Sequence, residues 1–161
     1  MASALHNLSN YDTASVPNGS NFSIAIVVAE WNKDITFALH KGCLQALIKH
    51  GCLEDNITTK VVPGAFELTV GAQIAIQKNQ PDAVICLGCV IKGETSHNEY
   101  INYAVAQGLT NLSLQTGIPA IFGVLTPNNE QQAKDRAGGK HGNKGVEAAI
   151  TALKMIALKK A

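Results

Sequence analysis

Ile24-Ala25-Ile26-Val27-Val28-Ala29 is an unbroken apolar run rich in β-branched side chains, preceded by Ser23 and followed by Glu30-Trp31-Asn32. A strand covered on both faces reads this way, whereas a half-exposed strand alternates apolar with polar residues. The period then changes. Ile35, Ala38, Leu39, Cys43, Ala46 and Leu47 recur at helical spacing, predicting a helix that Asn32 caps and Gly51 closes in a left-handed conformation.

The same alternation continues outward. Ile57–Val62 is the second strand, and Phe66, Val70 and Ile74 begin a helix that is apolar nearly all round. Ala83–Leu87 is the third strand. Ser96-His97-Asn98-Glu99 reads as a capping box opening a helix that carries Tyr100, Ile101, Ala104, Val105, Gly108 and Leu112. Pro119 leads into the fourth strand, Ala120–Leu125, followed by a short polar helix, Asn129–Arg136, and a glycine-rich stretch expected to be a flexible connector. A last helix places Val146, Ala149, Ile150, Leu153 and Ala157 on one face and ends in Lys159 and Lys160, which suit its C-terminal dipole. Strand and helix alternating in this way imply right-handed crossovers and a three-layer α/β/α domain around a short four-stranded parallel sheet. Residues 1–21, rich in Ser, Asn and Ala and without periodicity, are expected to form a flexible N-terminal arm, and residues 22–161 a single α/β domain.

Composition narrows the function. The 161 residues are 46% hydrophobic, 16% charged and 5% aromatic, an aliphatic globule large enough to bury a core. Thirteen Lys and Arg against twelve Asp and Glu leave no basic excess for a nucleic-acid backbone. No stretch reaches the ~20 apolar residues that span a bilayer, and MASALHNLSN lacks the pattern of a secretory signal, so the expected location is cytoplasmic. Cys86 and Cys89 form a C-x-x-C, but they sit in and just beyond a strand, not at a helix start. Cys43 and Cys52 offer no second pair of zinc spacing. All four read as reduced, structural thiols.

In parallel sheets ligands bind beyond the carboxyl ends of the strands. Trp31, after the first strand, either stacks on a flat heterocycle or packs the helix against the sheet. After the second strand, Gly64 permits close backbone approach, and Glu67 is either an acceptor for hydroxyl or ring N–H groups or a complement to the helix dipole. Gly88–His97 is a glycine-containing turn running into a helix start, which presents backbone N–H groups to an anion. His97 would be the first helical residue, where the positive dipole end disfavours imidazolium and leaves a ring able to accept a proton. The stretch Arg136–Gly145 fails the phosphate-loop pattern, since neither Lys140 nor Lys144 is followed by Ser or Thr. Its cations Arg136, Lys140 and Lys144 remain candidates for a phosphate, with Arg136 best suited to a bidentate grip. No HExxH, EF-hand loop or G-x-S-x-G occurs.

Four stretches together resemble the 6,7-dimethyl-8-ribityllumazine synthase family: Val62-Pro63-Gly64-Ala65-Phe66-Glu67; Gly88-x-Val90-Ile91-Lys92-Gly93-x-Thr95-x-His97; Phe122-Gly123-Val124-Leu125-Thr126; and Gln132-Ala133 through Ala149. The resemblance implies a flavodoxin-like topology and the penultimate step of riboflavin biosynthesis. In that step 5-amino-6-(D-ribitylamino)uracil condenses with 3,4-dihydroxy-2-butanone 4-phosphate, without metal or organic cofactor, releasing phosphate and water. It implies that Trp31 stacks on the pyrimidine, that Ala65, Phe66 and Glu67 with Cys89, Val90 and Ile91 bind ring and ribityl chain, and that Phe122 lines the pocket. It further implies that Glu94 and Thr95 cradle the phosphate, that Arg136 grips it with Lys144 nearby, and that His97 moves protons.

By the same resemblance, pockets lie between adjacent subunits of a pentamer, Phe122 and Arg136 coming from the neighbour. The short Gly138–Gly145 stretch resembles members that build sixty-subunit shells of twelve pentamers, in which the arm lies against a neighbour's sheet and riboflavin synthase is a partner. Three positions depart from the family's common pattern: Trp31 stands where Phe is frequent, Lys92 where Arg is, and Asn98 where an aromatic is. The competing readings are a non-catalytic flavin-binding, flavodoxin-like module, and a thiol-redox protein using Cys86 and Cys89.

Overall fold

A computed structural model describes residues 7–161. Strand β1 (Ile24–Ala29) lies between β2 (Ile57–Val62) and β3 (Ala83–Cys89), and β4 (Ala120–Leu125) completes a parallel sheet in the order β2-β1-β3-β4. That is the flavodoxin-like, three-layer arrangement expected from the sequence. Register is continuous: Ile24 sits beside Ile57 on one side and Ala83 on the other.

Successive side chains of a strand point to opposite faces, and β1 feeds both. Ile24, Ile26 and Val28 join the core under α1 (Lys33–Lys49) and α5 (Lys144–Lys160), with Leu39, Leu47, Leu153 and Ile156. Ala25, Val27 and Ala29 join the core under α2 (Leu68–Asn79) and α3 (His97–Thr116), with Leu68, Val105 and Leu109. Each large aliphatic side chain so buried contributes roughly 1.5–3 kcal/mol. β2 is an edge strand whose Val61 stays exposed.

Several local details differ from the sequence expectation. Gly51 does close α1 at positive φ, but Asn32 does not cap it with its side chain. Asn32 is itself left-handed, a conformation asparagine tolerates, and its Nδ2 donates to the Cys89 carbonyl at 3.0 Å. Residues Ala65–Glu67 form a 3₁₀ turn, so α2 starts at Leu68; it buries Leu68, Ala72, Ala75 and Ile76 and leaves Phe66, Val70 and Ile74 exposed. α3 begins at His97 as read, yet Ser96 makes no side-chain cap; Thr95 Oγ1 accepts from the His97 N–H instead, at 3.4 Å.

The glycine-rich stretch after α4 (Glu130–Arg136) is a short antiparallel hairpin, β5 (Ala137–Gly139) with β6 (Gly142–Asn143), rather than a loose connector. Its small residues let it lie on α1. Asn143 ties it down, donating to the Ala38 carbonyl and accepting from the Gly145 N–H.

Residues 1–6 of the expected arm lie outside the described residues. The following segment runs along the chain's own body: the Leu8 N–H donates to His141 O, Tyr11 Oη meets His50 Nε2 at 3.0 Å, and the Gly19 N–H donates to His50 O. At the amino ends of the strands Asp82 accepts from the Ser23 N–H and pairs with Lys160. Burial works against the Asp82 charge, but those two partners outweigh it and hold the carboxyl below its ordinary range. Among the described residues no helix is long and apolar enough to cross a membrane.

Candidate functional site

The sheet's carboxyl end is open where its amino end is tied. A cleft of about 570 Å³ lies there, lined by three of the four strand-end segments. The first is Trp31-Asn32, following β1. Glu30 N–H donates to Val62 O and Trp31 N–H to Pro63 O, so pairing with the β2 side persists past the strand ends and sets where Trp31 leaves the sheet. The indole is 72% exposed. It therefore does not pack between α1 and the sheet within this chain, and the bond from Asn32 to the Cys89 carbonyl anchors its base to the end of β3.

The second segment is Pro63-Gly64 and the 3₁₀ turn Ala65–Glu67. Ala65 is buried, while Phe66 and Glu67 face outward. The third is the end of β3, which runs past the expected Leu87 to Cys89, and the loop after it: Cys89, Val90, Ile91, Gly93, Thr95 and His97 line the cleft. This loop is held at its base by Val90 N–H to Leu125 O and Lys92 N–H to Pro127 O, which join it to the end of β4 and the segment after it. Its tip, residues 93–97, is exposed and leads into the first turn of α3, whose N–H groups begin without helical partners.

Of the residues picked from the sequence, Trp31, Ala65, Phe66, Glu67, Cys89, Val90, Ile91, Thr95 and His97 meet in this one cleft. Glu94 sits on the exposed loop beside it without lining it. Three candidates lie elsewhere in the chain. Phe122 is half-buried on β4, packed against the α2–α3 core. Arg136, the last residue of α4, donates from Nη1 to Gln132 O, and Lys144 pairs with Glu147 on the first turn of α5.

Asn98 and Ile101 also line the cleft and were not picked as site residues. The signal for them was helical period, since Asn98 and Ile101 stand three apart and so share one face of α3. All four cysteines are free and buried. Burial pushes the Cys86 and Cys89 thiols up to about 12, which keeps them protonated and unreactive near neutrality. Among the described residues no group of three His, Cys, Asp or Glu side chains could hold a metal ion.

The arrangement can hold a flat ring against an exposed indole, place hydroxyl or ring N–H groups beside Glu67, and set an anion near the amides at the start of α3. His97, which has two ring nitrogens to donate or accept hydrogen bonds, borders the same space. The model of the 6,7-dimethyl-8-ribityllumazine synthase family matches residues 21–160. A 6,7-dimethyl-8-ribityllumazine synthase of Cytophaga hutchinsonii is 56% identical over 157 residues, covering 98% of both chains. The enzyme of that name from Parabacteroides distasonis is 54% identical over 97% of this chain and 98% of its own. The one from Porphyromonas gingivalis is 52% identical over 99% of each.

Proposed function

The chain belongs to the 6,7-dimethyl-8-ribityllumazine synthase family, and from that premise we infer that the cleft is where it condenses 5-amino-6-(D-ribitylamino)uracil with 3,4-dihydroxy-2-butanone 4-phosphate. It is a transferase of riboflavin biosynthesis, and a non-catalytic flavin-binding module is not favoured. The observation that carries the assignment to this cleft is convergence: Trp31, the Ala65–Glu67 turn and His97, far apart in sequence, border one space at the strand ends.

In this reading the uracil ring stacks on Trp31, and Ala65, Phe66 and Glu67 with Cys89, Val90 and Ile91 hold the ring and its ribityl chain. Glu94 and Thr95 cradle the phosphate at the start of α3. The amine adds to the ketone with loss of water, and phosphate is eliminated to leave an enol that becomes a carbonyl. The ribitylamino nitrogen adds to that carbonyl with loss of a second water to complete the lumazine. Holding two reactive partners in register can supply ~7–11 kcal/mol in well-aligned cases. His97 accepts and returns protons, a role that typically adds ~10²–10⁴-fold. The low end suits a reaction whose phosphate leaves readily once gripped.

Phe122, Arg136 and Lys144 do not border the chain's own cleft, and the reading supplies Phe122 and Arg136 from an adjacent subunit. Family membership points to small-molecule substrates and self-association. The exposed apolar row Phe66, Val70 and Ile74 on the α2 side is a surface that self-association would cover. A pentamer, a sixty-subunit shell of twelve such pentamers, riboflavin synthase as a partner and a cytoplasmic location complete the proposal. So does the division into an arm, residues 1–21, and one catalytic domain, residues 22–161.

The direct test mixes both substrates with the protein and follows the lumazine's absorbance and fluorescence. The shared pocket is tested by coexpressing His97→Ala with Arg136→Ala. Mixed oligomers then contain some sites with both native residues and exceed either parent in activity. Activity no higher than the parents would place both residues in one subunit's site. Arg136→Ala alone should raise the KM for the phosphorylated substrate, and an unchanged KM would refute the grip.

A further inference from the structure

The buried stripe of α3 changes character along its length. Leu112, Leu109 and Val105 are buried against the α2 side of the core. Continued toward the cleft at the same alternating spacing of three and four, the stripe reaches Asn102 and then Asn98. Here α3 packs on the Ala65–Glu67 turn and on α2. Asn98 lines the cleft, yet its Oδ1 is turned inward, buried and without a hydrogen-bond partner among the described residues; Asn102 Oδ1 is in the same condition.

A buried carbonyl oxygen without a donor costs about 1–3 kcal/mol, and an aliphatic pair in the same stripe would avoid that cost. Two such amides side by side therefore call for a use. Residues four apart on a helix have Cβ atoms about 5–6 Å apart, which brings the Asn102 amide within reach of the Asn98 oxygen. A carboxamide can also turn over, exchanging its oxygen and NH₂ ends. Asn98 can thus show the cleft either a donor or an acceptor while Asn102 supports its other end.

On the proposed function given above, we propose that Asn98 is a further substrate-contacting residue, hydrogen-bonded to a hydroxyl of the substrate's polyhydroxy chain, with Asn102 as its positioning residue. A neutral group that both donates and accepts matches a hydroxyl, which does the same. A phosphate dianion only accepts, and its natural partners are cations and N–H groups. Asn98 also shares its wall with the Ala65–Glu67 turn, the segment assigned to the ribityl-bearing substrate.

The test compares two amines in wild type and in Asn98→Leu: the ribitylamino substrate, and an analogue carrying methylamino in place of ribitylamino. Asn98→Leu should raise the KM for the ribityl substrate about tenfold, a typical loss of one well-made hydrogen bond. The KM for the methylamino analogue and for the phosphorylated ketone should stay within about twofold. Asn102→Leu should show the same split at about threefold. Equal changes for both amines, or no change for either, overturn the proposal. Should Asn98→Leu fail to fold, Asn98→Ala is read by the same split. A wild-type protein that converts neither amine overturns the proposed function instead.

Discussion

Two glycine-bearing stretches of this chain look alike on paper and do opposite things in space. Gly88–His97 leaves the sheet at β3 and borders the cleft; a Cβ added at Gly93 would meet nothing within 4 Å. Arg136–Gly145 folds into the β5–β6 hairpin and the start of α5, packed on α1. There a Cβ at Gly139 would come within 2.8 Å of Asp135 Cα, and one at Gly145 would collide with the Leu39 carbonyl. Glycine in a sequence marks room that a side chain would take. It does not say whether a ligand or the chain itself fills that room.

The contrast is most exposed to failure at Gly145. Gly145→Ala drives a methyl into α1 backbone and should cost about 3 kcal/mol, read as a lower urea midpoint at unchanged slope. A loss below about 1 kcal/mol would break the contrast. On the cleft side the expected damage is to rate and not to folding. His97→Ala should lower kcat about 100-fold with turnover still measurable and an unchanged melting temperature. Complete loss of turnover would assign His97 more than proton transfer, and full activity would remove it from the site.

Smaller effects sharpen the same comparison. Gly93→Ala should leave stability within about 0.5 kcal/mol, since the added methyl meets no protein atom; a loss comparable to that of Gly145→Ala would mean the loop is packed after all. Cys89 borders the cleft, but its thiol is pushed up to about 12 by burial, so it stays protonated near neutral pH. Native protein treated with iodoacetamide near neutrality should show no mass increase at Cys86 or Cys89, and unfolded protein should show both. Labelling of the native chain would return the thiol-redox reading to consideration.

The fold was legible because burial leaves a periodic trace. Ile24–Ala29 is apolar without alternation since its odd and even residues enter different cores, and β4 runs Ala120–Leu125 as read. Helix ends were less legible. Asn32 and Ser96 stand where caps belong, yet neither side chain caps: Asn32 reaches the Cys89 carbonyl, a residue distant in sequence. The hairpin in Arg136–Gly145 was hidden for a related reason. Its glycines look like flexibility until α1 is placed beneath them.

Strand ends pointed to Trp31, Glu67 and His97, because a parallel sheet gathers its loops at one end. Asn98 and Ile101 carried only a helical period, which cannot tell a cleft wall from a core.

By itself the sequence determined the order of strands and helices, the two-sided core and, through four matching stretches, the family. These depend on local period and on residue identity, both of which a linear text preserves. Only the tertiary structure decided that Trp31 is exposed, that Asn32 anchors it to β3, and that Phe122, Arg136 and Lys144 lie off the chain's own cleft. Exposure and proximity are set by which distant segments the sheet brings together, and no local pattern records that distance.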